Sequence, residues 1–215
     1  EDFFARGFRL TLAITLPAAI GLGMLAEPIL SVLFQWGRFG VEDVAQAVKV
    51  LYVSAAALPF YALSAYLVKA FHARKQMKPP LFAGIVSFVV NLGLSLFLMN
   101  RYGVIGLAWA NVGASCAQTL ILLMQLKNAS FWNYLKPSPF FVLSSLIASA
   151  GMAGGLFLLQ SLVEIDDSQI GGLWKLCLFI PAGLLMQFFF LLAFGFPEAR
   201  SGARKFRNSF GKLFG

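Results

Sequence analysis

The sequence predicts an all-α, polytopic membrane bundle of six transmembrane helices, and three observations predict it. Hydrophobic residues fill 59% of the 215 positions and charged residues only 12%, with a mean hydropathy of +0.78. A soluble domain carries about 25% charged residues. The charges also gather in short intervals, leaving six runs of about 17 to 25 residues that are long enough to cross a hydrocarbon core. An outer-membrane barrel would instead show alternating segments of about ten residues.

The first apolar run covers about 8–25. Pro17 lies in its middle, removes a backbone hydrogen bond and invites a kink, with Thr11 and Thr15 placed to satisfy the freed carbonyls. No basic leader or cleavage site precedes this run and the chain starts at Glu1, which suggests a fragment rather than a signal peptide. The aromatic-rich, amphipathic segment from Glu27 to Asp43 is expected at the interface. A second helix, about 44–71, is expected to be interrupted at Pro59 and to end in the basic run His72 to Lys78.

Helices at about 81–99 and 104–126 form a hairpin around the turn Asn100-Arg101-Tyr102-Gly103. The connection 127–138 carries Trp132 and Tyr134 as interfacial anchors. A fifth helix, 139–163, holds Gly151 and Gly155 in a small-xxx-small pattern that permits close helix contact. An acidic loop, Glu164 to Asp167, leads into a sixth helix at 171–196 and a basic tail. The chain thus divides into four helices over 1–126, a cytoplasmic linker at 127–138, two further helices over 139–196 and a cytoplasmic tail at 197–215.

Lys and Arg set the orientation. Arg6, Arg9, Arg74, Lys75, Lys78, Lys127, Lys136 and the basic tail fall on one side of the membrane. Arg38 and Arg101 fall on the other, with Glu27, Glu42, Asp43, Glu164, Asp166 and Asp167. The positive-inside rule then makes both termini cytoplasmic. Basic loops on such a chain read as topology signals and anionic-lipid contacts rather than nucleic-acid patches.

No catalytic constellation is legible. The single histidine, His72, lies in a basic loop without partnered carboxylates or cysteines, and Cys116 and Cys177 read as small buried hydrophobes. What remains is polar chemistry inside the membrane. Ser87, Asn91 and Ser95 form one helical row, and Asn111, Ser115 and Gln118 another. Asn91 and Asn111 each lie about ten residues from the hairpin turn, so both are roughly 15 Å deep, near the bilayer centre. Their oxygens suit either interhelical hydrogen bonds or a hard cation such as Na⁺. Lys69 lies in the apolar part of the second helix, one turn from the basic loop that holds Arg74. It either snorkels to the interface or, with Arg74, meets an anionic substrate headgroup.

The run Leu16-Pro-Ala-Ala-Ile-Gly-Leu22, the segment Leu33-Phe-Gln-Trp-Gly-Arg-Phe39, the loop from Phe71 to Pro80 and the hairpin Asn91…Gly103-x-x-Gly106-Leu-Ala-x-Ala110 together resemble the MurJ/MviN lipid II flippases. These belong to the multidrug/oligosaccharidyl-lipid/polysaccharide (MOP) exporter superfamily. The order and spacing match over 1 to about 126, and 127–215 matches in layout only. The resemblance implies the last six of fourteen helices in a bacterial inner-membrane protein. The first four would complete the carboxy-terminal lobe, and the last pair would border a groove for the undecaprenyl tail. Family members move lipid II between leaflets by alternating access, driven by membrane potential or ion gradients. The missing amino-terminal helices, which carry most of the pyrophosphate-gripping arginines, would be partners of this chain, together with lipid II and membrane lipids. The sodium ligands of some members look like Asn91, Ser95, the carbonyl of Leu107 and Asn111, with Ser95 where the family has a carboxylate. Many members also have a Lys near Ala65 and a Pro where Lys69 stands. Two other readings are a polysaccharide-lipid or multidrug exporter of the same superfamily, and a membrane scaffold that does not transport. A drug exporter would need an intramembrane acid, and no Asp or Glu lies in a helix core.

Overall fold

The computed structural model describes residues 2–35, 40–128, 139–162 and 169–193. Among these the chain forms seven α-helices: α1 Asp2–Met24, α2 Ala26–Phe34, α3 Val41–Ala73, α4 Lys78–Tyr102, α5 Val104–Asn128, α6 Pro139–Leu162 and α7 Gln169–Ala193. All but α2 are long and apolar enough to cross a membrane, which gives the six spans that the sequence predicts. Helices suit this solvent because each backbone donor finds its acceptor within its own segment. The outer surface is correspondingly apolar, with Ile14, Phe88, Phe97, Leu158 and Phe189 all more than half exposed.

The helices pack as a row. α4 lies against α5, α5 against α3, α3 against α1, α1 against α6 and α6 against α7, while α2 is wedged between α3 and α7. Two apolar clusters hold the row together. The first joins Phe8 of α1, Leu63, Leu67 and Phe71 of α3, Ala83 of α4, and Leu122 and Leu126 of α5. The second joins Leu25, Met152 and Leu156 of α6, and Phe179 of α7. Near the first, the Tyr66 hydroxyl donates to the Phe4 carbonyl at 2.6 Å, and the two rings are 4.8 Å apart.

Local chemistry explains where the elements stop, and here the structure departs from several sequence expectations. Helix α3 runs unbroken through Pro59 for 33 residues, because tertiary packing on α1 and α5 outweighs one lost hydrogen bond. Part of the segment expected at the interface forms α2, packed on two other helices. Its separation from α1 at Leu25 follows from Pro28, which offers no N–H to the Met24 carbonyl. Thr11 and Thr15 donate to the Gly7 and Thr11 carbonyls, not to that of Ala13, which is the carbonyl Pro17 deprives.

The carboxy end of α3 closes with a Schellman pair. The Gln76 N–H donates to the Phe71 carbonyl at 3.0 Å and the Lys75 N–H to that of His72 at 2.9 Å, placing Lys75 in the left-handed region at φ 59°. The α4–α5 turn is Gly103 alone, at φ 58°. Cys177 is exposed and Cys116 half-buried, so neither is the fully buried small hydrophobe expected, because each faces partly out of the row. The motif residues 36–39, the linker residues 129–138 with Trp132 and Tyr134, the acidic loop 164–167 and the tail 197–215 lie outside the described residues.

Candidate functional site

The polar chemistry of the hairpin begins with how closely α4 and α5 approach. Gly106 faces the Leu98 backbone so tightly that a Cβ there would run into the Leu98 carbonyl, and one on Gly113 would meet Leu94 Cδ1 at 2.6 Å. This proximity brings the two mid-helix amides together. Asn91 Nδ2 donates to Asn111 Oδ1 at 3.0 Å, and Ser95 Oγ reaches Asn91 Oδ1 at 3.4 Å. One helix turn away the Ser87 hydroxyl donates to the Ala114 carbonyl at 3.0 Å. The result is an amide clasp between α4 and α5, as the matched depths predict.

The clasp is open on one side. Asn111 is exposed and Asn91 half-buried, because α4 packs chiefly on α5 and both residues lie at the edge of that contact. Leu107, one turn before Asn111, is also exposed. Asn111 Oδ1 accepts from Asn91 Nδ2 and Asn91 Oδ1 from Ser95 Oγ, and each carbonyl oxygen keeps a second lone pair. Among the described residues no three His, Cys, Asp or Glu side chains gather into a metal-binding group.

Ser115, one turn along the same row from Asn111, is 1% exposed and donates to the Val112 carbonyl of its own helix at 2.9 Å rather than joining the clasp. Its neighbour Thr119, which the polar rows omitted, links α5 to α3. The Thr119 hydroxyl lies 2.9 Å from the Phe60 carbonyl and 2.9 Å from the Ser115 carbonyl of its own helix. Phe60 directly follows Pro59, so α5 grips α3 one residue past its proline. The sequence signal was present: Ser115 and Thr119 are four residues apart on one helix.

Lys69 and Arg74 are both exposed and close to the same end of α3, with Lys75 and Lys78 following in the loop. They are far from the amide clasp, which lies mid-helix in α4. In the last hairpin, Gly155 takes the close approach expected of a small residue, since a Cβ there would meet Met186 Sδ at 2.7 Å. Sequence reasoning missed the buried Ser145 and Ser149 on α6 and Gln187 on α7. Their signal was a serine pair at i, i+4, and one amide within the apolar run 170–193.

A family model described as lipid II flippase MurJ matches residues 1–167. A probable lipid II flippase MurJ of Bdellovibrio bacteriovorus is 34% identical over 199 residues, covering 90% of this chain and 36% of the relative. A counterpart from Thermotoga maritima is 35% identical over 127 residues, covering 59% of this chain and 26% of the relative. A solved structure titled lipid II flippase MurJ, inward closed conformation, is similar in fold, with a TM-score of 0.72 at 24% identity, covering 88% of this chain and 39% of that one. The chain therefore spans about a third of the length of the relatives it matches.

Proposed function

We propose, because the chain belongs to the MurJ lipid II flippase family, that it forms the carboxy-terminal part of a transporter moving a lipid-linked peptidoglycan precursor across the bacterial inner membrane by alternating access. The open side of the amide clasp carries this reading. An exposed amide at mid-membrane depth facing acyl chains is costly, by about 1–3 kcal/mol or more for each unmet group. It belongs against a polar helix or a water-filled passage. The helices of this chain leave that side open, and the relatives are about three times as long. The remaining helices of the transporter are then the partner that supplies the opposite wall. A scaffold whose polar residues served only helix association would bury both amides.

In this reading residues 1–126 complete one lobe and 139–196 form an added pair. Both termini face the cytoplasm, since Arg6, Arg74, Lys75 and Lys78 gather at one end of the bundle and Glu27, Glu42 and Asp43 at the other. Lys69 and Arg74 would meet anionic headgroups at the cytoplasmic entrance. The reading is tested by joining the chain to the amino-terminal helices of its own reading frame and expressing it in flippase-depleted cells. Restored exposure of lipid II at the periplasmic face is the expected result. Correct insertion without restored exposure would overturn transport in favour of the scaffold.

Sodium coupling is proposed at Asn91, Ser95, the Leu107 carbonyl and Asn111, where each amide oxygen accepts one hydrogen bond and keeps a lone pair for a cation. The expected outcome is that Na⁺ raises the melting temperature of the full-length protein more than a large organic cation does. Asn91→Leu and Asn111→Leu should remove the difference. Equal shifts in the unsubstituted protein would end the sodium reading.

A further inference from the structure

Gln187 on α7 is 6% exposed, and both ends of its amide lack a hydrogen-bond partner among the described residues. Ser145 on α6 is fully buried and its hydroxyl is likewise unpartnered. Buried polar groups in folded proteins almost always find partners, and an amide can make up to four hydrogen bonds. A long, flexible glutamine side chain with nothing to hold it would turn outward, yet this one stays inside.

Packing contacts bring these groups to one region. Met152 of α6 reaches both other helices: a Cβ on Gly183 of α7 would lie 3.8 Å from its sulfur, and one on Gly21 of α1 would lie 3.8 Å from its methyl. With six alternating crossings, α1 and α6 run parallel and α7 runs against them. From that shared contact, one turn toward the amino end of α6 reaches Ser149, and a second reaches Ser145. The same direction leads from Gly183 to Gln187 on α7, and on α1 from Gly21 to Pro17 and then Ala13. Pro17 and Ala13 are both buried, and Pro17 withholds the N–H that the Ala13 carbonyl would otherwise receive. The Ser149 hydroxyl gives its proton to the Ser145 carbonyl at 2.8 Å, leaving its lone pairs as acceptors. Ser145 and Gln187 thus bring unmet groups from two helices to a single seam, to which α1 adds the carbonyl that Pro17 deprives of its usual donor.

We propose that this seam is an internal water site, in which the Ala13 carbonyl, the Ser145 and Ser149 hydroxyls and the Gln187 amide hold one or a few water molecules within the α1–α6–α7 junction. Water fits the donor set better than a cation does. It uses both the N–H and the oxygen end of the amide, whereas a cation would leave the N–H groups unmet and finds no carboxylate here. The site joins the last helix pair to α1 through exchangeable hydrogen bonds rather than through fixed side-chain pairs.

The test is radiolytic footprinting of the full-length protein in lipid nanodiscs, with oxygen-18 water mixed in shortly before exposure. Met152, 4% exposed, is the reporter. The expected result is rapid oxidation of Met152 carrying mainly oxygen-16 from slowly exchanging water, reduced several-fold in Gln187→Leu. An unoxidised Met152 in the unsubstituted protein would overturn the proposal. Melting curves of Ser145→Ala, Gln187→Leu and the double variant give a second readout. Shared water predicts that each single variant lowers the melting temperature and that the double loses little more than the worse single. A higher melting temperature for Gln187→Leu would show an unhydrated amide and overturn the water site. Stabilisation by K⁺ over a large organic cation that is lost only with Gln187→Leu would assign the seam to a cation instead.

Discussion

Gly106→Leu should prevent the α4–α5 hairpin from forming, the largest single-residue effect expected in this chain. The obstacle to any side chain at this position is the Leu98 backbone, and a Cβ alone already collides with its carbonyl. A flexible side chain could swing away, but a helix backbone moves only if the whole contact opens. Overpacking commonly costs about 1–3 kcal/mol, and a backbone obstacle places this substitution at or above the upper end. Opening the contact would also separate Asn91 from Asn111 and leave both amides unmet in the bilayer. The expected readouts are aggregation on size exclusion and loss of complementation in flippase-depleted cells. Gly93→Leu is the internal control, since nothing lies within 4 Å of a Cβ there. If Gly106→Leu and Gly93→Leu behave alike, the close approach of the two helices is refuted.

Phe71→Ala is expected to lower stability more than any other apolar truncation. Phe71 is 2% exposed at the junction of α1, α3, α4 and α5 and is among the largest fully enclosed side chains. In a membrane, lipid is as apolar as the protein interior, so the loss arises from packing rather than from transfer out of water. A residual cavity of roughly 100 Å³ at about 24 cal/mol per Å³ gives a cost of about 2.4 kcal/mol. Phe88, 67% exposed on the outer face of α4, provides the contrast, since Phe88→Ala should shift the melting temperature little. Equal losses for the two alanine variants would mean that the first cluster is not the centre of the fold.

The spans and the amide pairing were legible in the sequence for the same reason. Charge exclusion from hydrocarbon fixes where a helix enters and leaves, and counting from a tight turn then fixes depth. Asn91 and Asn111 could therefore be matched before any coordinates. Rotation about the helix axis was much less legible. α5 lies between α4 and α3, so Ser115, in the Asn111 row by spacing, is buried and turns its hydroxyl to its own helix, while Thr119 serves the other neighbour. Proline also misled: α3 stays one continuous helix through Pro59, because packing on α1 and α5 outweighs the single hydrogen bond the ring removes. At Pro17 the threonines bond the Gly7 and Thr11 carbonyls, both nearer the amino end than the Ala13 carbonyl set free. The Gln187 seam was the least legible part, since it depends on three helices whose mutual register only packing reveals.

Thr119 has a mechanical consequence. Its hydroxyl has one proton and two carbonyls at the same 2.9 Å, one on α3 and one on its own helix. Handing that proton from Phe60 to Ser115 costs almost no enthalpy, because one good bond replaces another. The junction beside the proline is therefore a latch that can be released without exposing a bare hydroxyl to lipid. The fastening between α5 and α3 is thus firm when shut and nearly free to open.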